Sequence, residues 1–161
     1  MDHGDSSARV PVPVQVARAL LAVVATSHLV VPIVMGAAQG ALRNQLAAQH
    51  PEFGPAEIAR SADIAVVSAG VFHGALLAVC VLLLWKLASS RRWARRLATI
   101  SQLLSVGFSV VSWTSSPMFH AVILVVGAAQ LTLVALLWLP PTARRFFTVP
   151  DSRAPRTPAS A

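Results

Sequence analysis

Residues 63–85 read DIAVVSAGVFHGALLAVCVLLLW and carry no charged side chain after the first position. An α-helix rises about 1.5 Å per residue, so about 20 residues cross the roughly 30 Å hydrocarbon core of a bilayer. Three other apolar runs, at residues 14–36, 97–115 and 119–139, are also long enough to cross. The pattern predicts an all-α fold, a four-helix transmembrane bundle.

The composition is typical of a membrane protein. Of the 161 residues 12% are charged and 55% are hydrophobic, and the mean hydropathy is +0.66, whereas a soluble domain carries about 25% charged residues. Four spans use over half of the chain, so we expect no separate soluble domain. The single cysteine, Cys80, lies within the second run, so the sequence predicts no internal disulfide and no metal site built on cysteine.

The net charge of +7 and the pI of about 11.7 do not indicate a nucleic-acid partner, because the charges lie at the edges of the apolar runs. Eleven of the thirteen Lys and Arg residues fall on one side of a four-span topology, against Arg43 and Arg60 on the other. The positive-inside rule then places both termini in the cytoplasm. Twelve of the thirteen basic residues are arginine, a usage typical of GC-rich bacterial genomes. The chain is therefore predicted to be a multi-pass protein of a bacterial cytoplasmic membrane.

A cleaved signal peptide is the alternative interpretation of the first run, since Gly36-Ala37-Ala38 resembles a cleavage site. The apolar stretch is longer than a usual signal core and three more runs follow, which favours a span.

The predicted organisation has three parts. Residues 1–13 form a flexible N-terminus, residues 14–139 form the transmembrane domain, and residues 140–161 form a disordered basic tail rich in proline. An outer loop spans residues 37–62 and a cytoplasmic loop spans residues 86–96. In the outer loop we expect a helix that stops before Pro51 and another that begins at Pro55, forming a cap over the outer mouth of the bundle. A flexible loop is the alternative.

The cytoplasmic loop carries the sharpest local motif of the chain. Tryptophan is favoured at the level of the lipid headgroups, and each basic residue near an anionic leaflet contributes about 1 kcal/mol. A plain membrane anchor is the simpler interpretation, and specific binding of an anionic lipid or a protein partner is the other. The predicted headgroup contacts are Arg91, Arg92, Trp93, Arg95 and Arg96.

The middle of each apolar run is free of Asp, Glu, Lys and Arg. A proton-driven exporter of the small multidrug resistance kind depends on a buried glutamate in its first helix, so this activity is disfavoured. One polar side chain per run lies about 12 to 16 Å from the outer ends, namely His28, His73, Ser105 and Gln130. Unsatisfied polar groups are costly against lipid, so we expect these four to converge inside the bundle.

Other residues of the runs add to this polar layer. Gln102, Trp113 and His120 are further candidates for lining a ligand site. Pro32 frees the carbonyl of His28 and predicts a kink there. Gly70 and Gly74 have the G-x-x-x-G spacing of close helix packing, within the bundle or between copies. A serine stripe of the third run forms either a packing seam or one wall of a cavity: Ser101, Ser105, Ser109, Ser112 and Ser116.

Three functions fit these residues. The first is a non-catalytic bundle that binds a lipid or another hydrophobic ligand, or that assists a larger membrane complex or a homo-oligomer. The second is an intramembrane isomerase or cyclase in which His28 and His73 act as general acid and base, while Gln130 and Ser105 orient the substrate. The third is a haem protein with both histidines as axial ligands; otherwise no cofactor is expected.

Arg92-Trp93-Ala94-Arg95, together with the topology, resembles the small four-span membrane proteins of actinobacteria, which often carry a basic-Trp-Ala-Arg turn before the third helix. The resemblance implies a host lineage and a topology. It implies no chemistry, because such proteins mostly have no assigned function.

Overall fold

A computed structural model describes residues 10–115 and 119–148, and these ranges are helical without any strand. The predicted all-α fold is confirmed. Residues 1–9 and 149–161, which belong to the predicted flexible N-terminus and tail, lie outside the described ranges, as does Ser116. The helices in chain order are α1 (Val12–Ala37), α2 (Gln39–Gln49), α3 (Pro55–Lys86), a 3₁₀ turn (Leu87–Ser89), α4 (Arg92–Ser115), α5 (His120–Trp138) and α6 (Pro141–Phe146).

Helices α1, α3 and α5 are long and apolar enough to cross a membrane, with mean hydropathies of 2.1, 2.3 and 2.3 over their best segments. Only 22%, 17% and 17% of those segments are buried inside the bundle. Most of their apolar side chains therefore face outward, which is compatible with an integral membrane protein. The fourth predicted span is also a helix, α4, but its serines and its arginines make it more polar than the other three. That α4 crosses the membrane stays a prediction.

The four long helices form a ring. Helix α1 packs against both α3 and α5, α4 packs against α5, and the smallest of the four contacts joins α3 to α4. The start of α1 meets the end of α3, where Arg18 Nε donates a hydrogen bond to the Leu84 carbonyl at 3.0 Å. Successive long helices therefore alternate in direction, and Lys86 and residues 91–96 gather at one end of the ring. We call this the arginine end and the opposite one, next to α2, the loop end.

The hydrophobic core occupies the half of the bundle near the arginine end, which we call the packed half. Its side chains come from every long helix and from the segment after α5, and most are 0% exposed. Alanine is frequent among these residues, and small side chains allow helix backbones to approach closely. The core residues are Val14, Ala17, Leu21, Val24, Ala25, Cys80, Leu83, Leu87, Ala94, Ala98, Leu133, Leu137, Ala143 and Phe147.

The prediction of a disordered tail from residue 140 onward is wrong for residues 141–148. Pro141 occupies the first position of α6, where its missing N–H costs nothing, and the helix then places Ala143 and Phe147 in the core with 0% exposure. Arg92 donates from Nε to the Phe147 carbonyl at 3.1 Å and from Nη2 to the Thr148 carbonyl at 2.7 Å. The proline-rich composition indicated disorder, whereas one buried aromatic ring and one arginine order this segment.

At the loop end, the expected helices are present. Helix α2 ends at Gln49, before Pro51, and α3 begins at Pro55 with Glu57 Oε2 accepting a hydrogen bond from the Gly54 N–H at 2.9 Å. Helix α2 lies along α3, where Arg43 and Asp63 form an ion pair at 3.6 Å. None of its eleven residues is buried. The segment is therefore helical as expected and packs beside α3, and a cap over the outer mouth stays a prediction.

The turn from α2 to α3 is organised by His50. Its Nδ1 lies 3.1 Å from Glu52 Oε1, and its ring stacks on that of Phe53 with the centroids 4.7 Å apart. A backbone hydrogen bond within Glu52 and the contact with His50 lower the pKa of the Glu52 carboxyl. The turn therefore keeps this exposed carboxylate ionised to a lower pH than an ordinary glutamate.

Candidate functional site

The four residues of the polar layer meet as two pairs. His28 Nδ1 on α1 lies 2.9 Å from His73 Nδ1 on α3. Gln130 Nε2 on α5 donates to Ser105 Oγ on α4 at 2.8 Å. His28, Ser105 and Gln130 are buried and His73 is half-buried. Each pair thus joins two neighbouring helices of the ring, and the layer marks the border of the packed half.

On the loop-end side of this layer the bundle is hollow, and we call this part the hollow half. It encloses a cavity of about 310 Å³ to which α1, α3, α4 and α5 all contribute. One residue of each pair lines the cavity, namely His73 of the histidine pair and Ser105 of the other. Their partners, His28 and Gln130, lie behind them. The remaining lining residues are Ser27, Val31, Met35, Ser68, Ala69, Phe72, Phe108, Ser109, Ser112, Phe119, Val122, Ile123 and Val126.

The cavity continues to the surface of the bundle between α1 and α5. A second, mostly apolar space of about 540 Å³ shares four lining residues with it, Ser27, Val31, Phe119 and Val122. The second space also touches Val30 and Val34, which are 46% and 40% exposed. The cavity is therefore open to the surface of the bundle between α1 and α5.

The cavity wall is uncharged. None of the described residues that line it is Asp, Glu, Lys or Arg, and His73 is the one titratable side chain among them. Three phenylalanine rings and several aliphatic side chains supply the apolar part of the wall. A charged ligand would lose its hydration without a partner here, so the lining fits a neutral molecule.

The serine hydroxyls of the wall differ in what they bind. Ser27 Oγ donates to the Val24 carbonyl at 2.7 Å, and Ser109 Oγ donates to the Ser105 carbonyl at 2.9 Å, so both are committed to their own helix. Ser105 Oγ instead accepts a hydrogen bond from Gln130. The serine stripe of α4 therefore belongs partly to a packing seam and partly to a cavity wall, the two predicted alternatives. Ser105, Ser109 and Ser112 line the cavity, whereas Ser101 does not.

The histidine pair has a defined chemistry. When two neutral imidazoles share a hydrogen bond between their Nδ1 atoms, one ring donates and the other accepts, so the accepting ring carries its proton on Nε2. The ring centroids of His28 and His73 are 5.1 Å apart. Such a pair can hold or move a proton at the wall of the cavity.

This geometry does not fit a haem between the two histidines. Axial nitrogens on opposite sides of one metal ion, each bonded at about 2 Å, stand about 4 Å apart. The two Nδ1 atoms are 2.9 Å apart, and their contact turns both Nε2 atoms away from each other. Within residues 10–115 and 119–148, no cluster of three or more His, Cys, Asp or Glu residues could hold a metal ion.

The other candidate residues lie away from the cavity. Gln102 is buried next to the packed half, where Nε2 donates to Ser101 Oγ at 3.3 Å and Oε1 has no partner. Trp113 and His120 stack with ring centroids 3.9 Å apart, and His120 Nε2 donates to the Trp113 carbonyl at 2.7 Å. Trp113 and His120 therefore fasten the end of α4 to the start of α5 and do not line the cavity.

The arginine cluster divides into two groups. Arg92 bonds the chain after α6, and the Arg95 guanidinium lies 3.9 Å from the centroid of the Trp138 ring. Arg91, Trp93 and Arg96 are exposed at the arginine end. Contact with lipid headgroups stays a prediction for the cluster, and Arg92 and Arg95 also contact the end of α5 and the segment after α6.

Gly70 and Gly74 are exposed, and a Cβ atom added at either position would meet no atom within 4 Å. The G-x-x-x-G spacing therefore serves no helix contact within the bundle. Pro32 lies inside α1, which remains one helix from Val12 to Ala37, and a kink there stays a prediction.

Sequence reasoning missed several lining residues, namely Ser27, Ser68, Phe72, Phe108 and Phe119. A signal was present, because Ser27 and Phe72 are direct neighbours of His28 and His73 in the chain. The Arg92 bond to the Phe147 carbonyl carried no such signal, because the two residues are far apart in sequence. Comparison with protein-family models, with curated proteins and with solved structures finds no match for this chain.

Proposed function

We propose that this chain is a four-span membrane protein with the arginine end in the cytoplasm, and that its cavity binds a neutral hydrophobic molecule without transforming it. The observation that carries the proposal is the uncharged cavity at the border of the polar layer, lined by all four long helices and continuous with the bundle surface. Binding sites of this type are mostly apolar, with a few polar groups that orient the ligand.

The charge distribution supports the orientation. The exposed acidic residues of the described chain, Glu52, Glu57 and Asp63, all lie at the loop end. Exposed basic residues of the opposite end are Lys86, Arg91, Arg92, Arg96, Arg144 and Arg145. Since basic residues are retained on the cytoplasmic side, this asymmetry favours four spans with both termini inside.

The size of the cavity limits the ligand. With about 30 Å³ for each water-sized group, 310 Å³ accommodates roughly ten non-hydrogen atoms. That is the lower end of the range for small-molecule sites. A medium-length chain or a single ring system fits inside, and a longer tail would extend between α1 and α5.

Filling the cavity tests the binding. Ala69 lines the cavity, whereas Ala78 on the same helix faces outward. Native mass spectrometry with undecan-2-one as the probe is expected to show a one-to-one adduct for the parent and for Ala78→Phe, and its loss for Ala69→Phe. An adduct that persists in Ala69→Phe, or that the parent never forms, contradicts the proposal.

Labelling tests the topology. In a Cys80→Ala background, Gln49→Cys places a thiol at the loop end and Ser89→Cys places one at the arginine end, both at exposed positions. In intact cells a membrane-impermeant maleimide is expected to label the first and not the second, and both after lysis. Labelling of Ser89→Cys in intact cells contradicts the orientation.

An intramembrane acid–base enzyme is the second candidate, favoured by one observation. His73 lines the cavity and its Nδ1 lies 2.9 Å from that of His28, so a proton can be held or transferred at the wall. In D₂O such an enzyme would exchange the α-hydrogens of bound undecan-2-one faster than buffer does, and His73→Ala would abolish this excess. Binding without catalysis predicts the buffer rate.

A further inference from the structure

We infer that the cavity selects an apolar molecule bearing a ketone or quinone carbonyl, with Ser105 as the hydrogen-bond donor to that carbonyl and Gln130 as the residue that positions the Ser105 hydroxyl. The inference rests on the proposed function and adds the chemical class of the ligand. It follows from the hydrogen bonds behind the cavity wall.

Ser105 differs from the other serines of the wall. Its Oγ accepts from Gln130 Nε2 at 2.8 Å, so one lone pair is occupied. Serines in helices commonly turn their proton to a carbonyl three or four residues earlier, as Ser27 and Ser109 do. Ser105 makes no such bond within the described residues, and it lines the cavity. Its hydroxyl proton is therefore directed at whatever occupies the cavity.

Gln130 is buried in a position that holds the Ser105 hydroxyl in place. The side chain is 0% exposed, and its Oε1 has no hydrogen-bond partner among the described residues. Leaving the oxygen of a fully buried amide unpaired is costly. The bond from the Gln130 amide occupies one lone pair of the Ser105 oxygen and fixes the position of the serine hydroxyl.

His73 can add a second donor. If His28 donates within the histidine pair, His73 carries its proton on Nε2, and the opposite tautomer makes Nε2 an acceptor. An oxygen that accepts from Ser105 favours the first of these states. The ligand oxygen thus meets a hydroxyl from α4 and an imidazole from α3, the neighbouring helices of the ring with the smallest mutual contact.

The depth of Ser105 within the membrane distinguishes between two possible sources of the carbonyl that it binds. Ser105 lies thirteen residues after Arg92 and ten before Ser115 along α4, which is about 20 and 15 Å from the two helix ends. Ester carbonyls of bilayer phospholipids lie at the edge of the hydrocarbon core, about 15 Å from its middle. The carbonyl that reaches Ser105 therefore belongs to a molecule inserted deeply, and a glycerol ester lies too far out.

A matched pair of probes tests the inference. Undecan-2-one and undecane differ by one carbonyl oxygen, and nanodiscs of diether phosphatidylcholine contribute no carbonyl of their own. Competition read by native mass spectrometry is expected to favour the ketone about tenfold, the value of one good hydrogen bond. Ser105→Ala is expected to bring the ketone down to the level of undecane. Gln130→Leu is expected to reduce the preference to about threefold.

Thr132→Val is the matched control, because the Thr132 hydroxyl bonds the Ala128 carbonyl at 2.8 Å on an exposed part of α5 outside the cavity. It should keep the tenfold preference. Circular dichroism melting of each variant verifies that the fold is retained, and undecane binding by Ser105→Ala verifies that the cavity is intact.

The outcomes separate the two proposals. If the parent binds ketone and undecane equally, the inference is overturned and the proposed function stands. If neither probe binds, the proposed function itself is overturned. A tenfold preference that survives in Ser105→Ala, or one that increases in Gln130→Leu, contradicts the assigned donor. Loss of ketone binding on exchange of diether for diester lipid would assign the cavity to lipid esters and overturn the ligand class.

Discussion

The packed half and the hollow half are built from the same four helices, yet they differ in how those helices meet. In the packed half, leucine, valine and alanine side chains from the four long helices form one buried cluster, which Phe147 joins with 0% exposure. In the hollow half, phenylalanine and serine side chains leave about 310 Å³ unfilled. The polar layer lies at the border between the two.

The difference teaches that hydropathy and packing are separate properties of a transmembrane helix. Both halves of α1 and α3 are apolar, and both are long enough to contribute to a span. Ser27 and Ser109 of the hollow half bond carbonyls of their own helix, whereas Arg18 and Arg92 of the packed half bond carbonyls of other segments. Stability is expected to be concentrated in the packed half, and ligand binding in the hollow half.

The largest expected effect is the difference in unfolding free energy between alanine variants of two phenylalanines. Phe147→Ala removes a fully buried ring and should lower the free energy of unfolding by about 3 kcal/mol. Phe108→Ala removes a ring that is 48% exposed and lines the cavity, so it should cost about 1 kcal/mol or less. Equilibrium unfolding in detergent measures both, and equal losses would remove the distinction between the halves.

A smaller effect is expected for Arg92. Arg92→Gln removes two hydrogen bonds to the carbonyls of Phe147 and Thr148, and should cost about 1 kcal/mol because the side chain is largely exposed. Arg96→Gln, at an exposed position without a hydrogen bond to the described residues, should stay within about 0.5 kcal/mol. Limited proteolysis after α6 provides a second measurement, with faster cleavage expected for Arg92→Gln alone.

The smallest effect concerns the border between the halves. A double-mutant cycle of Ser105→Ala and Gln130→Leu should give a coupling free energy of about 0.6 kcal/mol, the average for polar pairs between membrane helices. Such a value is too small for a major stabilising role, and agrees with a pair kept for binding. A coupling free energy of 2 kcal/mol or more would show that the pair stabilises the fold, as the residues of the packed half do.

Much of the fold could be predicted from local signals. Pro51 and Pro55 mark the end of α2 and the start of α3, because proline cannot continue a helix but fits its first position. The four residues of the polar layer could be selected because polar groups inside long apolar runs are rare. Their pairing as His28–His73 and Ser105–Gln130 could not be predicted, because it depends on how each helix is rotated about its axis.

Other features depended on contacts between distant parts of the chain. Composition indicated a disordered tail after residue 140, but α6 is ordered because Phe147 finds a space in the core and Arg92 reaches its carbonyl. Gly70 and Gly74 have the spacing of a packed helix pair, yet they face outward. Trp113 and His120 stack on each other because of the short connection between α4 and α5.

By itself the sequence determined an all-helical chain with helices long enough to cross a membrane, because hydropathy and helix rise are properties of local segments. It also determined that the polar groups in the middle of the apolar runs are few and uncharged. The tertiary structure alone decided which half of the bundle is closed, which serine proton remains available, and which residues face the cavity. These depend on side-chain volumes and helix rotations at contacts between distant segments, which no local pattern contains.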